Sequence, residues 1–287
     1  MFGILLTAFG TLADEVSTSI GKWEVTRGRE SIFTMGFLSS LWGAVFLLVL
    51  AFLVPKGFFA PGFPGGFVFN MASLPTFMPR VLLEILQAYV TVYAIAHADR
   101  STYGFLRIIT IPLLLVTDIL LSYSFNLSQI AGMTFIIASL FILFMNHGIR
   151  RQGAGVVLFI AVNAVITISL YKYDITLFNF IEAEQSIVSL VLLVFFFFMA
   201  FTRAGENPLR LLARPVFFFQ SLLSGVSGAV TSFAYLFGTA SIITTALRAF
   251  SVLFAMLSGH FYFREKKLWI KISVFSLITV GLVLLAL

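Results

Sequence analysis

The chain has no cysteine and little charge. Its 287 residues hold 12 acidic, 18 basic and 3 histidine side chains. At 10% charged it falls well short of the roughly 25% found in soluble domains. The missing cysteines exclude disulfides, zinc thiolates, iron–sulfur clusters and thiol nucleophiles together. The missing polar groups exclude a cytosolic enzyme, a secreted domain and a disordered chain, because too little remains to coat a water-soluble surface. No HExxH, GxSxG or Walker A pattern occurs, and three scattered histidines make no metal site. The expectation is a non-enzyme without cofactor or metal. The charge runs at 203–214 and 264–267 read as solvated loops and not as a nucleic-acid platform.

What is present is apolar. Sixty per cent of residues are hydrophobic, 35 of them phenylalanine, and the mean hydropathy is +1.06 with a pI near 9.7. Lipid is the expected solvent, and on a membrane protein the formal charge of +6 anchors cytoplasmic loops to anionic headgroups. Ten apolar stretches of near-spanning length can be drawn: 2–21, 32–54, 78–98, 103–123, 127–146, 153–171, 184–202, 214–237, 239–262 and 267–286. They are continuously apolar, so barrel strands do not fit. The first carries Asp14 and Glu15 and no basic leader, which favours a retained helix over a signal peptide. The one long loop, 55–77, is apolar and rich in Gly and Pro, as an interfacial segment would be.

An internal repeat organises these stretches. Ser19-Ile20-Gly21-Lys22-Trp23-Glu24-Val25-Thr26 recurs as Ser169-Leu170-Tyr171-Lys172-Tyr173-Asp174-Ile175-Thr176, and Leu106-Arg107 recurs as Leu247-Arg248. Each half, 1–148 and 149–287, then holds five helices, and an odd number makes the second half insert upside down. The expected fold is an all-α polytopic membrane protein of ten transmembrane helices in two inverted five-helix repeats. Many secondary transporters rock such halves about a site near mid-membrane.

Further residues carry a family likeness. Ala240-Ser241 enters the ninth stretch, Phe263-Arg264-Glu265-Lys266-Lys267 joins the last two, and Gly281 lies near the end. In the first half Ser122-Tyr123-Ser124-Phe125-Asn126-Leu127-Ser128-Gln129, followed by Gly132, takes the equivalent place without its usual acid, and Pro112 sits in helix 4. With these features the chain resembles the drug/metabolite transporter superfamily, in particular its EamA-type members. The resemblance implies a multi-pass carrier of the inner or plasma membrane with both termini inside. Charge points the other way. Loops after odd-numbered helices hold thirteen basic residues, those after even-numbered helices only Lys56, Arg80 and Lys172, which puts both termini outside.

Polar groups inside spans are costly and mark function or pairing. Helix 9 carries Thr244, Arg248, Ser251, Ala255, Ser258 and Tyr262 at helical spacing, and helix 4 carries Tyr103, Arg107, Thr110, Leu114, Thr117 and Leu121, with Asp118 on the side of Arg107. Arg248 lies about 14 Å into its helix at 1.5 Å per residue, near mid-bilayer. A guanidinium cannot shed its charge, so it meets a substrate anion or an acid. The functional reading is a clamp on a carboxylate or phosphate; the alternative is an ion pair with Asp14, Glu15, Glu84 or Asp118. Asn163, Gln220, Tyr235 and His260 are further cavity candidates or packing contacts. Glu84, or one of Asp14 and Glu15, is a candidate proton carrier; for Glu84 the alternative is a static partner for Arg107 or Arg80, the latter four residues earlier on the same face. Gly225 and Gly228 read as packing residues, Glu182, Glu184 and Gln185 as an N-terminal cap, Trp23, Tyr171 and Tyr173 as interfacial aromatics, and Phe195–Phe198 as lipid-facing.

The function expected is a secondary active transporter for a small polar metabolite bearing a carboxylate or phosphate, such as an amino acid or a phosphorylated metabolite. It would work by alternating access, with proton coupling as a further element. Helices 1, 3, 4, 6, 8 and 9 would line the cavity, and peripheral helices 5 and 10 would be free for a homodimer. A lipid-headgroup flippase and a non-transporting scaffold are the rival readings.

Overall fold

The computed structural model describes residues 1–54, 66–97, 106–145, 154–263 and 268–286. Among them it is all helix, without a strand. A helix occupies each of the ten apolar stretches: α1 Phe2–Thr26, α2 Ile32–Leu53, α3 Leu74–His97, α4 Thr110–Leu120, α5 Leu127–Met145, α6 Ala154–Leu177, α7 Ile181–Met199, α8 Pro215–Ala234, α9 Ala240–Phe263 and α10 Leu268–Ala286. Four spans are long and apolar enough to cross a bilayer by length and composition: Ile32–Leu53, Gly155–Leu177, Ile181–Ala204 and Pro215–Phe237. They mark a membrane protein.

Helix ends follow local chemistry. Ser31 caps α2 by accepting the Thr34 amide. Asn207 caps the single turn Pro208–Leu212, and Pro215 opens α8 at its first position, where no amide is needed. Several helices outrun the apolar stretch that predicts them. α1 continues to Thr26 and α6 to Leu177, because Lys22-Trp23-Glu24 and Lys172-Tyr173-Asp174 remain helical. α3 begins at Leu74, after the 3-10 turn Met71–Ser73, so the 55–77 loop ends sooner than expected. α7 begins at Ile181 with no side-chain cap.

Packing joins helices across the sequence. α1 lies along α8 and α9, α2 along α7 and α8, α3 along α6, α4 along α6 and α9, and α5 along α10. Glycine sets the closest approaches. A Cβ on Gly225 of α8 would stand 2.3 Å from Trp42 Cβ of α2, and one on Gly132 of α5 would stand 2.7 Å from the Gly281 carbonyl of α10. α5 and α10 thus spend their glycine faces on each other. Their apolar core joins Ile111, Met133, Ile136, Val274 and Ile278. A second core joins α2, α6 and α8 through Leu47, Tyr171, Ile175, Ala229 and Phe233. Phe196 is buried against Gly36, whereas Phe198 is exposed, so the phenylalanine run does not face one way.

Candidate functional site

Ionisable side chains from four elements meet near the middle of the bundle. Asp14 lies half-way along α1, Glu84 half-way along α3, Arg248 on the third turn of α9, and Arg107 in the 3-10 turn that leads into α4. Asp14 interacts electrostatically with both Arg107 and Arg248. The phenol of Tyr235, just past α8, interacts with both arginines and with Glu84. Tyr235 Oη and Thr244 Oγ1 are 3.0 Å apart. Ser251 Oγ donates to Glu15 Oε2 over 3.5 Å, tying α9 to α1. Asn163 Nδ2 donates to Gln87 Oε1 at 2.8 Å and to the Leu83 carbonyl at 3.1 Å, which ties α6 to the α3 segment carrying Glu84.

The centre is open. Leu5, Phe9, Leu12 and Val16 form the exposed apolar row of α1, and helical spacing puts Asp14 on the opposite side with Thr7, Gly10 and Gly21. Asp14 is nevertheless solvent-accessible. The Glu84 side chain keeps 24% of its surface. Gly228 lies between Thr231, which abuts α1, and Gly225, which abuts α2, and a Cβ there would meet nothing within 4 Å. Gly225 is therefore the packing glycine of the pair, and Gly228 faces space.

Other candidates have different roles. Thr110 Oγ1 donates to the Arg107 carbonyl at 2.6 Å, an internal bond of the turn. Asp118 is no partner of Arg107: its Oδ2 accepts the Ser241 amide at 2.7 Å at the start of α9, where a carboxylate suits the helix dipole, and Lys172 is its basic neighbour. Gln220 sits far from the centre and donates to Glu30 Oε1 at 3.2 Å. Tyr103 lies outside the described residues, as do the side chains of Ala255, Ser258, His260 and Tyr262.

A second polar cluster closes one end, and hydropathy reasoning missed it. Arg80, expected at the flank of a loop and four residues before Glu84 on the same helix face, is 1% exposed. It donates to Glu184 Oε1, approaches Glu84 Oε1 at 3.8 Å and lies over the Tyr171 ring at 4.5 Å. Glu184 is thus a buried ion-pair partner and not a cap. Tyr171 is buried too, donating its hydroxyl to the Ser232 carbonyl at 3.1 Å, so of the three expected interfacial aromatics Trp23 and Tyr173 are exposed and Tyr171 is not. Asn179 Nδ2 donates to Glu184 Oε2 at 3.1 Å and to Ser73 Oγ at 3.0 Å. Thr76 donates to Asp174 Oδ1. Lys172, also expected in a loop, is buried and donates to the Tyr235 carbonyl at 2.6 Å. The sequence hinted at it through Arg80 four residues before Glu84 and through the acids at the ends of apolar stretches.

The opposite end has its own latch. Glu206, from the α7–α8 linker, accepts from the Ser31 amide at 3.0 Å, from Ser31 Oγ at 2.8 Å and from Thr34 Oγ1. Glu30 is buried beside it with Oε2 unsatisfied. Burial pushes the Glu30 carboxyl up to about 8; the Gln220 hydrogen bond opposes this, and the nearby Glu24 and Glu206 add to it. Glu24 meets Arg29 at 3.4 Å. A scan against family models finds no match for this sequence, and no curated protein matches it.

Proposed function

We propose that the protein is a secondary active transporter of the drug/metabolite type, with ten membrane-crossing helices in two inverted halves. The packing supports this. Exchanging helix n with helix n+5 turns the α1–α8 contact into α6–α3 and the α1–α9 contact into α6–α4, and it maps the α2–α7, α4–α9 and α5–α10 contacts onto themselves. The end contacts follow the same exchange. The α1–α2 linker meets the α7–α8 linker through Ser31 and Glu206, and the α6–α7 linker meets the segment before α3 through Asn179 and Asn70.

The observation that carries the reading is the open centre holding Asp14, Glu84, Arg107 and Arg248. Arginines at a water-accessible mid-depth position bind carboxylate or phosphate through paired donors. With acids on the same wall, the site suits a zwitterion such as an amino acid better than a polyanion. A scaffold has no need of the open space at Gly228. A flippase needs a polar slot opening sideways, and the outward row of α1 is apolar. The test is thermal unfolding of purified protein with a panel of amino acids and phosphorylated metabolites, since a ligand of the folded state raises Tm. At least one is expected to stabilise the wild type and to lose that effect in Arg248→Ala. A shift undiminished in Arg248→Ala sinks the clamp.

Orientation gains from the burial of Arg80 and Lys172. Neither is a loop charge, so thirteen basic residues now oppose Lys56 alone on the charge count. Because the chain has no cysteine, a single cysteine at the exposed Thr26 reports its side without background. The charge count predicts labelling by an impermeant maleimide only after the cytoplasmic face is opened; labelling of intact cells reverses the assignment.

A further inference from the structure

Among the described residues, the cluster around Arg80 does not balance its charge. On α3 stand Arg80 and Glu84; on α6, Tyr171 and Asp174; on α7, Glu182 and Glu184. Lys172, the other base nearby, turns to the Tyr235 carbonyl and to Asp118. One guanidinium therefore serves Glu84, Asp174 and Glu184, and the last two are wholly buried. Asp174 lies within electrostatic reach of both Arg80 and Glu184. Asp174 Oδ1 takes the Thr76 hydroxyl, but its Oδ2 is buried with no hydrogen-bond partner. Leaving a second carboxylate ionised and unpaired there costs several kcal/mol on the order of a buried charge, and a proton removes that cost.

We propose that Asp174 and Glu184, sharing Arg80, form a buried site that holds one exchangeable proton. The guanidinium neutralises one carboxylate and the proton neutralises the other. Water reaches the site through Glu84, which is part of the open centre and touches Arg80 at 3.8 Å. Arg80 can lean towards Glu84 or Glu184, so a change of charge at the centre alters how tightly the buried pair keeps its proton. In a transporter this is the coupling site; the proton-binding claim itself stands without the transport reading.

The test is infrared difference spectroscopy of the full protein in nanodiscs, stepped from acid to alkaline pH without substrate. It uses a Glu30→Gln background, because Glu30 also holds a proton near neutrality. The protonated-carboxyl band lost on alkalisation should shrink by one carboxyl-equivalent in Asp174→Asn and equally in Glu184→Gln, since either change leaves Arg80 with a single buried partner. If Asp174→Asn fails to fold, Glu184→Gln alone decides. A band unchanged in the substituted protein overturns the site. A titration displaced by sodium at fixed pH also overturns it, in favour of a metal cation. Ligand binding at Arg248 is measured separately, so either claim can fall while the other stands.

Discussion

The two ends of the bundle carry the same motif in different surroundings. At one end Lys22-Trp23-Glu24 finishes α1, with Trp23 exposed and Glu24 paired to an Arg29 whose side chain is 52% exposed. At the other, Lys172-Tyr173-Asp174 lies near the end of α6, with Lys172 and Asp174 buried among Tyr235, Thr76 and Arg80. The first end is the wetter one, because Arg29 reaches water although Glu24 is itself buried, and the second is dry. Positions matched by the sequence repeat therefore need not share an energetic role: burial of both partners turns a half-exposed pair into a network whose members depend on each other.

That contrast can be broken most forcefully at Arg80. Arg80→Met strands Glu184 and Asp174 and should cost about 3–5 kcal/mol, against about 0–1 kcal/mol for Arg29→Ala at the wet end, measured by denaturation in matched detergent. Equal losses would remove the distinction. Lys172→Met deletes a charged donor to the Tyr235 carbonyl and should cost about 1.5–3 kcal/mol. Ser31→Ala removes the α2 cap and one donor to Glu206, for about 1 kcal/mol.

A further effect is confined to pH. Glu30 binds its proton more tightly folded, at about 8, than its ordinary value of 4.5. Its contribution to stability is fully present below that ordinary value and is lost as pH rises through about 8, beyond which the loss is complete. Thermal unfolding of wild type against Glu30→Gln should show that slope disappear in the variant. A slope that survives intact belongs to other carboxyls.

Much of the fold was legible because hydropathy and chain length constrain where a helix can lie in lipid. Each of the ten stretches holds a helix, and the Arg107 and Arg248 pairing emerged from spacing alone. Asp14 lies within electrostatic reach of both arginines. What hydropathy could not show was the fate of charges at stretch ends. Lys172 and Asp174 look like loop residues by position and Arg80 and Glu184 like stretch ends, and only long-range contacts from α3 to α6 and α7 reveal them as interior. The use made of Asp118 was hidden for a related reason. Sharing a helix face with Arg107 says nothing about the start of α9, more than a hundred residues away, where its carboxylate is used.

The central claim is that charges at mid-depth bind and carry a ligand. Counterflow into proteoliposomes loaded with the metabolite that raises Tm tests it most directly, comparing wild type, Arg248→Ala and the exposed-end control Arg29→Ala. The account predicts exchange in wild type and Arg29→Ala and at least a tenfold loss, about 1.4 kcal/mol, in Arg248→Ala. Undiminished exchange in Arg248→Ala, or equal losses in both variants, would contradict it.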